Sequence, residues 1–191
     1  MSPAISTGVV MQLLKGHFGD PGQIMDPALR QYVWSASGPD TQIRIVPNTL
    51  FDPTQAGKLP ALIVKRGQFS SERRSMGDRN ESTDLTDVTS GLQGYVRFHT
   101  GSIKVFCISE TSGEAEALAL EVFDALTFLA PVLVERLPFH DFQVTGLGEQ
   151  GVLEGMGNRI GIPVVAEFKY EYGWGVKPLA PRLRSLDIQT E

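Results

Sequence analysis

The residues best equipped for chemistry in this chain are few: one cysteine, three histidines and one glycine-rich string. Cys107 supplies a thiol and His99 and His140 supply bases, but no local pattern pairs them as an activated nucleophile and its base would be paired. Cys107 falls with Ile103 and Val105 on one face by period two, which reads as a small core hydrophobe. His140-Asp141 and the scattered acids lack metal-ligand spacing. A single cysteine rules out both a disulfide framework and a multi-cysteine zinc site. No catalytic residue, metal or cofactor is therefore expected. His17, beside the apolar face of an expected helix, reads as a packing or helix-end residue.

Gly146-Leu147-Gly148-Glu149-Gln150-Gly151 spells GxGxxG behind an expected strand. The dinucleotide fingerprint works because a helix opens directly after the glycines and aims its N–H groups at a pyrophosphate. Here Gly155, Gly157, Gly161 and Pro163 leave no room for a helix of useful length, and Glu149 puts negative charge where phosphates would lie. The string is expected to be a hairpin loop that binds no nucleotide. Asn80-Glu81-Ser82 matches a glycosylation sequon and is expected to be silent without a secretory signal.

The elements that must carry these residues belong to a chain of 191 residues, enough for one ordinary domain with a sizeable core. Its 41% hydrophobic and 20% charged content is that of a globular protein rather than a disordered one. The net charge of −5 lacks the basic excess that drives non-specific phosphate binding. That charge is uneven: residues 1–66 hold six basic and four acidic groups, residues 67–175 eight and sixteen, and residues 176–191 three and two. The apolar stretch from Ala117 to Leu137 contains Glu121, Asp124, Pro131, Glu135 and Arg136, which argues against a membrane span. The first basic residue is Lys15, so neither an export leader nor a lipid anchor is expected.

Val9, Val10, Leu13, Leu14 and His17 at helical spacing predict a helix over 4–17, stopped by Gly19-Asp20-Pro21-Gly22. Asp26-Pro27 reads as an N-cap with proline at the first helical position, giving one or two turns over 27–34, and 35–40 reads as a turn. Strands are expected over 42–46 and 61–66. Tyr95–His99 and Ile103–Ile108 flank Thr100-Gly101, which suggests a hairpin. Thr111-Ser112-Gly113-Glu114 matches a capping box. Behind it Ala115, Leu118, Val122, Ala125, Leu126 and Leu129 form the stripe of a long helix, expected to end at Pro131. Its second apolar side, with Leu120, Phe123 and Phe128, calls for cover from a larger sheet or a neighbouring subunit. Phe139–Thr145 and Ile162–Tyr172 read as closing strands, the latter alternating apolar and charged residues. Without strand-helix alternation, the order predicts an α+β fold, a mostly antiparallel sheet packed on one long helix. The domain is expected to span 1–175, with an extended basic tail over 176–191.

Between two expected strands lies Gly67 to Gly91, almost free of apolar residues. Polar segments of that length inside a domain are usually functional arms or solvated loops. Glu72, Arg73, Arg74, Asp78, Arg79, Glu81, Asp84 and Asp87 make this arm a candidate for inter-subunit or channel-lining contacts. Its acids cancel most of the attraction Arg73 and Arg74 would exert on nucleic acid.

The order of a short N-terminal helix, a strand pair with a long polar insertion, a hairpin into a capped amphipathic helix (Thr111 to Ala130), then Phe139-His140-Asp141-Phe142-Gln143-Val144 and the strand Val164 to Tyr172 resembles the tail terminator and neck proteins of tailed bacteriophages. The likeness covers roughly residues 5–175. It implies a non-enzymatic ring, commonly a hexamer, at the head-tail junction of a virion assembled in the host cytoplasm. Such a ring caps the tail tube and joins it to head-completion proteins while DNA passes through without sequence-specific binding. An acidic lumen would let a duplex slide. The extra N-terminal region and the 67–91 arm depart from the smaller members of that family. The alternatives are a small cytosolic α+β enzyme with a site assembled from distant residues such as Cys107 or His99, and an assembly adaptor or chaperone.

Overall fold

The computed structural model describes residues 3–51, 60–73, 93–137, 139–152 and 159–176. Two helices, α1 (Pro3–Gly19) and α2 (Ser112–Arg136), accompany six strands: β1 (Arg44–Pro47), β2 (Ala61–Arg73), β3 (Gln93–Ser109), β4 (Phe139–Leu147), β5 (Gly151–Val152) and β6 (Ile160–Val176). The strands form one sheet in the order β1-β2-β3-β6-β4, with β5 also paired to β6. β1 runs parallel to β2, setting Arg44 opposite Ala61 and Pro47 opposite Val64. β4 and β6 are antiparallel, with Phe142 opposite Phe168. The fold is α+β with a mostly antiparallel sheet, as the element order led us to expect.

Contacts divide the chain into two compact units, one of residues 1–70 and 100–170, the other of residues 71–99 and 171–191. In the first, the main core gathers Val10, Leu14 and Phe18 of α1 and Leu118, Val122 and Leu126 of α2. Against them lie Leu62, Val64, Ile103, Val105, Val164, Ala166 and Phe168 of the sheet. Alternation sends the neighbouring side chains to the opposite face, where Ala61, Ile63 and Ile108 form a smaller cluster under Val46 and Phe51. Both faces of β2 are thus buried at its start, which explains its unbroken run Ala61-Leu62-Ile63-Val64. In the second unit, the described residues are the outer ends of β2, β3 and β6, where the His99 and Tyr172 rings meet edge to face at 5.6 Å.

Four local expectations are corrected. The hairpin around Thr100-Gly101 is instead the middle of the single strand β3. Gly101 is there for closeness rather than for turning: a Cβ on it would lie 2.5 Å from Cζ of Phe168. The long helix does not stop at Pro131 but continues to Arg136. A proline inside a helix costs about 3 kcal/mol, and burial of Leu133 beyond it, seven residues after Leu126 on the same stripe, offsets that cost. Residues 27–31 form a turn, not helical turns. Asp26 is still its pivot, because its Oδ1 accepts from the Ala28 N–H at 2.8 Å. The polar arm begins later than its composition indicates, since Gly67 to Arg73 continue β2. A Cβ at Gly67 would meet Ser102 Oγ at 2.2 Å, so this glycine too serves close strand packing.

The closing strands agree with their reading. In β6, Ile162, Val164, Ala166, Phe168 and Tyr170 are buried. The GxGxxG string leaves β4 at Leu147 and enters β5 at Gly151, so it links two strands as expected, but both pair with β6 and not with each other, so it is not the loop of a hairpin. Gly148 donates its N–H to the Pro163 carbonyl at 2.7 Å. The sequon and the 177–191 tail lie outside the described residues.

Candidate functional site

The polar groups buried in this fold hold elements together. Glu121 sits within the apolar stripe of α2, three residues after Leu118 and four before Ala125, and is only 3% exposed. Its Oε1 pairs with His17 Nε2 at 2.7 Å and accepts from the Met25 N–H at 3.0 Å. Its Oε2 accepts from the Asp26 N–H at 3.0 Å. One carboxylate thus joins the end of α1, the following turn and the middle of α2. Burying a charge is costly unless it is paired and hydrogen-bonded, and all three partners are fixed by the fold. His17 is a packing residue as expected, and its partner Glu121 is the residue that sequence reasoning missed. The available signal was a lone acid at a stripe position.

A second carboxylate ties the start of α2. Thr111 caps the helix by accepting from the Glu114 N–H at 3.4 Å. Glu114 itself accepts from the Tyr32 and Ser109 hydroxyls. The bond from Tyr32 to Glu114, then burial, then the Glu114 charge raise the Tyr32 phenol to about 12.

The groups considered for catalysis are not gathered. Cys107 is fully buried, its thiol is pushed up by burial, and its Sγ faces the Val105 carbonyl at 3.8 Å. A thiol held protonated in the core is no nucleophile. The His99 imidazole lies below its usual range through burial, with the Arg97 charge adding to it, and it belongs to the other unit from Cys107. His140 is exposed on β4. Among the described residues no three His, Cys, Asp or Glu side chains come together as metal ligands would.

The surface is distinguished by apolar exposure on α2. Phe128 is 79% exposed, Leu120 48% and Val132 46%, while Phe123 packs against the core. Beside this face, Val9 and Leu13 of α1 and Val132, Leu133 and Leu137 line a groove of about 710 Å³. By length and composition α2 would suffice to cross a membrane, yet its stripe from Ala115 to Leu133 is buried. Of the arm residues singled out by charge, Glu72 and Arg73 stand at the end of β2. Arg74, Asp78, Arg79, Glu81, Asp84 and Asp87 lie outside the described residues.

No family model matches this chain, and no curated protein does. Among solved structures it is similar to a chain of the virion of a native gene transfer agent (GTA) particle, at 15% identity and a TM-score of 0.37 over 83% of this chain and 95% of that chain.

Proposed function

We propose that this protein is a structural subunit of a phage-type particle. In it, copies assemble into a ring, six-fold by the family resemblance, that closes the tail tube at the head-tail junction and joins it to the neck. DNA would pass through its lumen unread. The observation that carries this reading is the apolar exposure of Leu120, Phe128 and Val132 on α2, which the described residues leave uncovered. Large exposed apolar side chains gathered on one helix mark protein contact surfaces, here with the exposed Asp124 between Leu120 and Phe128. The β4 edge of the sheet is a poorer contact, because its register is interrupted between Phe139 and Asp141 and again between Val144 and Gly146. Such irregularities blunt edge-to-edge pairing. The net acidic region 67–175 and the element order add support, and the particle likeness carries none of it.

The test is the mass of the native assembly. Six copies of a 20.9 kDa chain would appear at about 125 kDa by mass photometry. Phe128→Asp should leave monomer stability within about 0.5 kcal/mol, as for an exposed position, and abolish the assembled species. Strictly monomeric protein in the particle would overturn the reading.

A further inference from the structure

Two patches of the first unit carry opposite charge, each beside an exposed apolar side chain. The bond from His17 to Glu121 sets the first half of α2 beside the end of α1. There Asp26, Glu116 and Asp124 surround Met25 and Leu120 at a depression of about 350 Å³, with Met25 55% exposed. Toward the start of α1, Thr7 and Met11 face Asn48, Lys65 and Arg66 across a groove of about 490 Å³, and Leu50 beside it is 74% exposed. Six residues of helix separate Met11 from His17, about 9 Å of rise. Lys65, Arg66, Glu116 and Asp124 are all exposed, and among the described residues none of the four has an ion-pair partner.

We infer that the occupant of each patch is the other patch of a second copy, so that copies join head to tail. This rests on the self-assembly proposed above. Like charges repel, so neither patch is suited to meet its own counterpart on a second copy. Among the described residues each chain offers this basic and this acidic patch, each beside an exposed apolar side chain to desolvate, and opposite potentials steer encounter and fix register. A head-to-tail contact leaves one patch of each kind free at the ends, and it closes when the rotation between copies divides a full turn. A reciprocal two-fold pairing would consume all four patches and stop at two copies.

Thiol cross-linking tests the geometry with every charge retained. Asn48 and Gly113 are exposed members of the two patches, and a Cβ at Gly113 meets open space. The native Cys107 is buried and silent. With Asn48→Cys and Gly113→Cys in one full-length chain, a short bis-maleimide should give a ladder beyond the dimer on a denaturing gel. Each single variant alone should give no cross-link, and the two mixed should give dimers only. A dimer as the sole product of the double variant, or no product, overturns the head-to-tail contact. Charge reversal supplies an independent readout. Lys65→Glu with Arg66→Glu, or Glu116→Lys with Asp124→Lys, should each weaken association about tenfold, and combining all four should restore it. If the wild type assembles and neither reversal matters, this inference fails while self-assembly stands. A wild type that is monomeric at every concentration removes both.

Discussion

At the scale of single residues, the fold depends on two carboxylates, Glu114 in the capping box and Glu121, which the chain's polar patterning does not advertise. Glu121 is an acid in an apolar stripe, and its three hydrogen bonds reach partners about a hundred positions away. Periodicity shows that such a residue is out of place but not what it meets, because the partner is brought by tertiary structure. Removing the side chain leaves His17 and two backbone N–H groups buried or half-buried without their acceptor, and each such loss costs about 1–3 kcal/mol. Glu121→Ala should therefore destabilise by about 3 kcal/mol or more in urea unfolding. Glu121→Gln should cost less but not nothing, since its amide N–H₂ must face at least one of those donors. Tyr32 gives a pH signature. Its folded pKa of about 12 stands above the ordinary 10, so the folded state holds this proton more tightly than the unfolded chain does. The stabilisation is complete below pH 10 and is lost as pH rises from there toward 12. Wild-type protein should lose melting temperature across that window more steeply than Tyr32→Phe, and parallel profiles would show that the phenol does not act through Glu114.

Elements were legible where one face alone decides their pattern. The capped start of α2 and the alternation of β6 are local signals, and both lie where their residues indicate. Where a residue's role depends on a distant neighbour, local reading misled. Thr100-Gly101 has the composition of a turn, yet Gly101 lies in mid-strand because the Phe168 ring occupies the space of its side chain. Pro131 has the composition of a helix end, yet the burial of Leu133 carries the helix past it. The first case is testable. In Gly101→Ala the added methyl meets the ring well inside contact distance, and overpacking of this kind costs about 1–3 kcal/mol. Phe168→Leu also destabilises, by opening a cavity, but the two changes share one space. The double variant should be more stable than the sum of the single losses, with a coupling of at least about 0.5 kcal/mol in a double-mutant cycle. Additive losses would mean that Gly101 is needed for some other reason.

At the scale of the whole molecule, the candidate contacts inferred from charge alone were the least legible, since an acid or arginine in a polar segment has the same local pattern whether it meets solvent or a neighbour. The strand β2 takes up Gly67 to Arg73, so the segment for which we propose an assembly role is the stretch from Arg74 to Gly91, with Asp78, Arg79, Glu81, Asp84 and Asp87. Its few apolar side chains, Met76, Leu85 and Val88, offer little to offset the entropy of ordering so many residues. A contact with a neighbouring subunit would supply what the segment itself lacks. The cost of closing a loop changes slowly with length, about 0.6 kcal/mol per doubling. Replacing residues 74–91 by a short Gly-Ser linker should therefore shift the stability of the single chain by roughly 1 kcal/mol or less, while preventing incorporation into particles. Urea unfolding of the isolated chain and complementation of particle assembly measure the two effects separately. Loss of folding would show that the segment belongs to the core. Normal folding with normal particles would show that it is a solvated connection, and the α2 face would then have to hold the assembly without it.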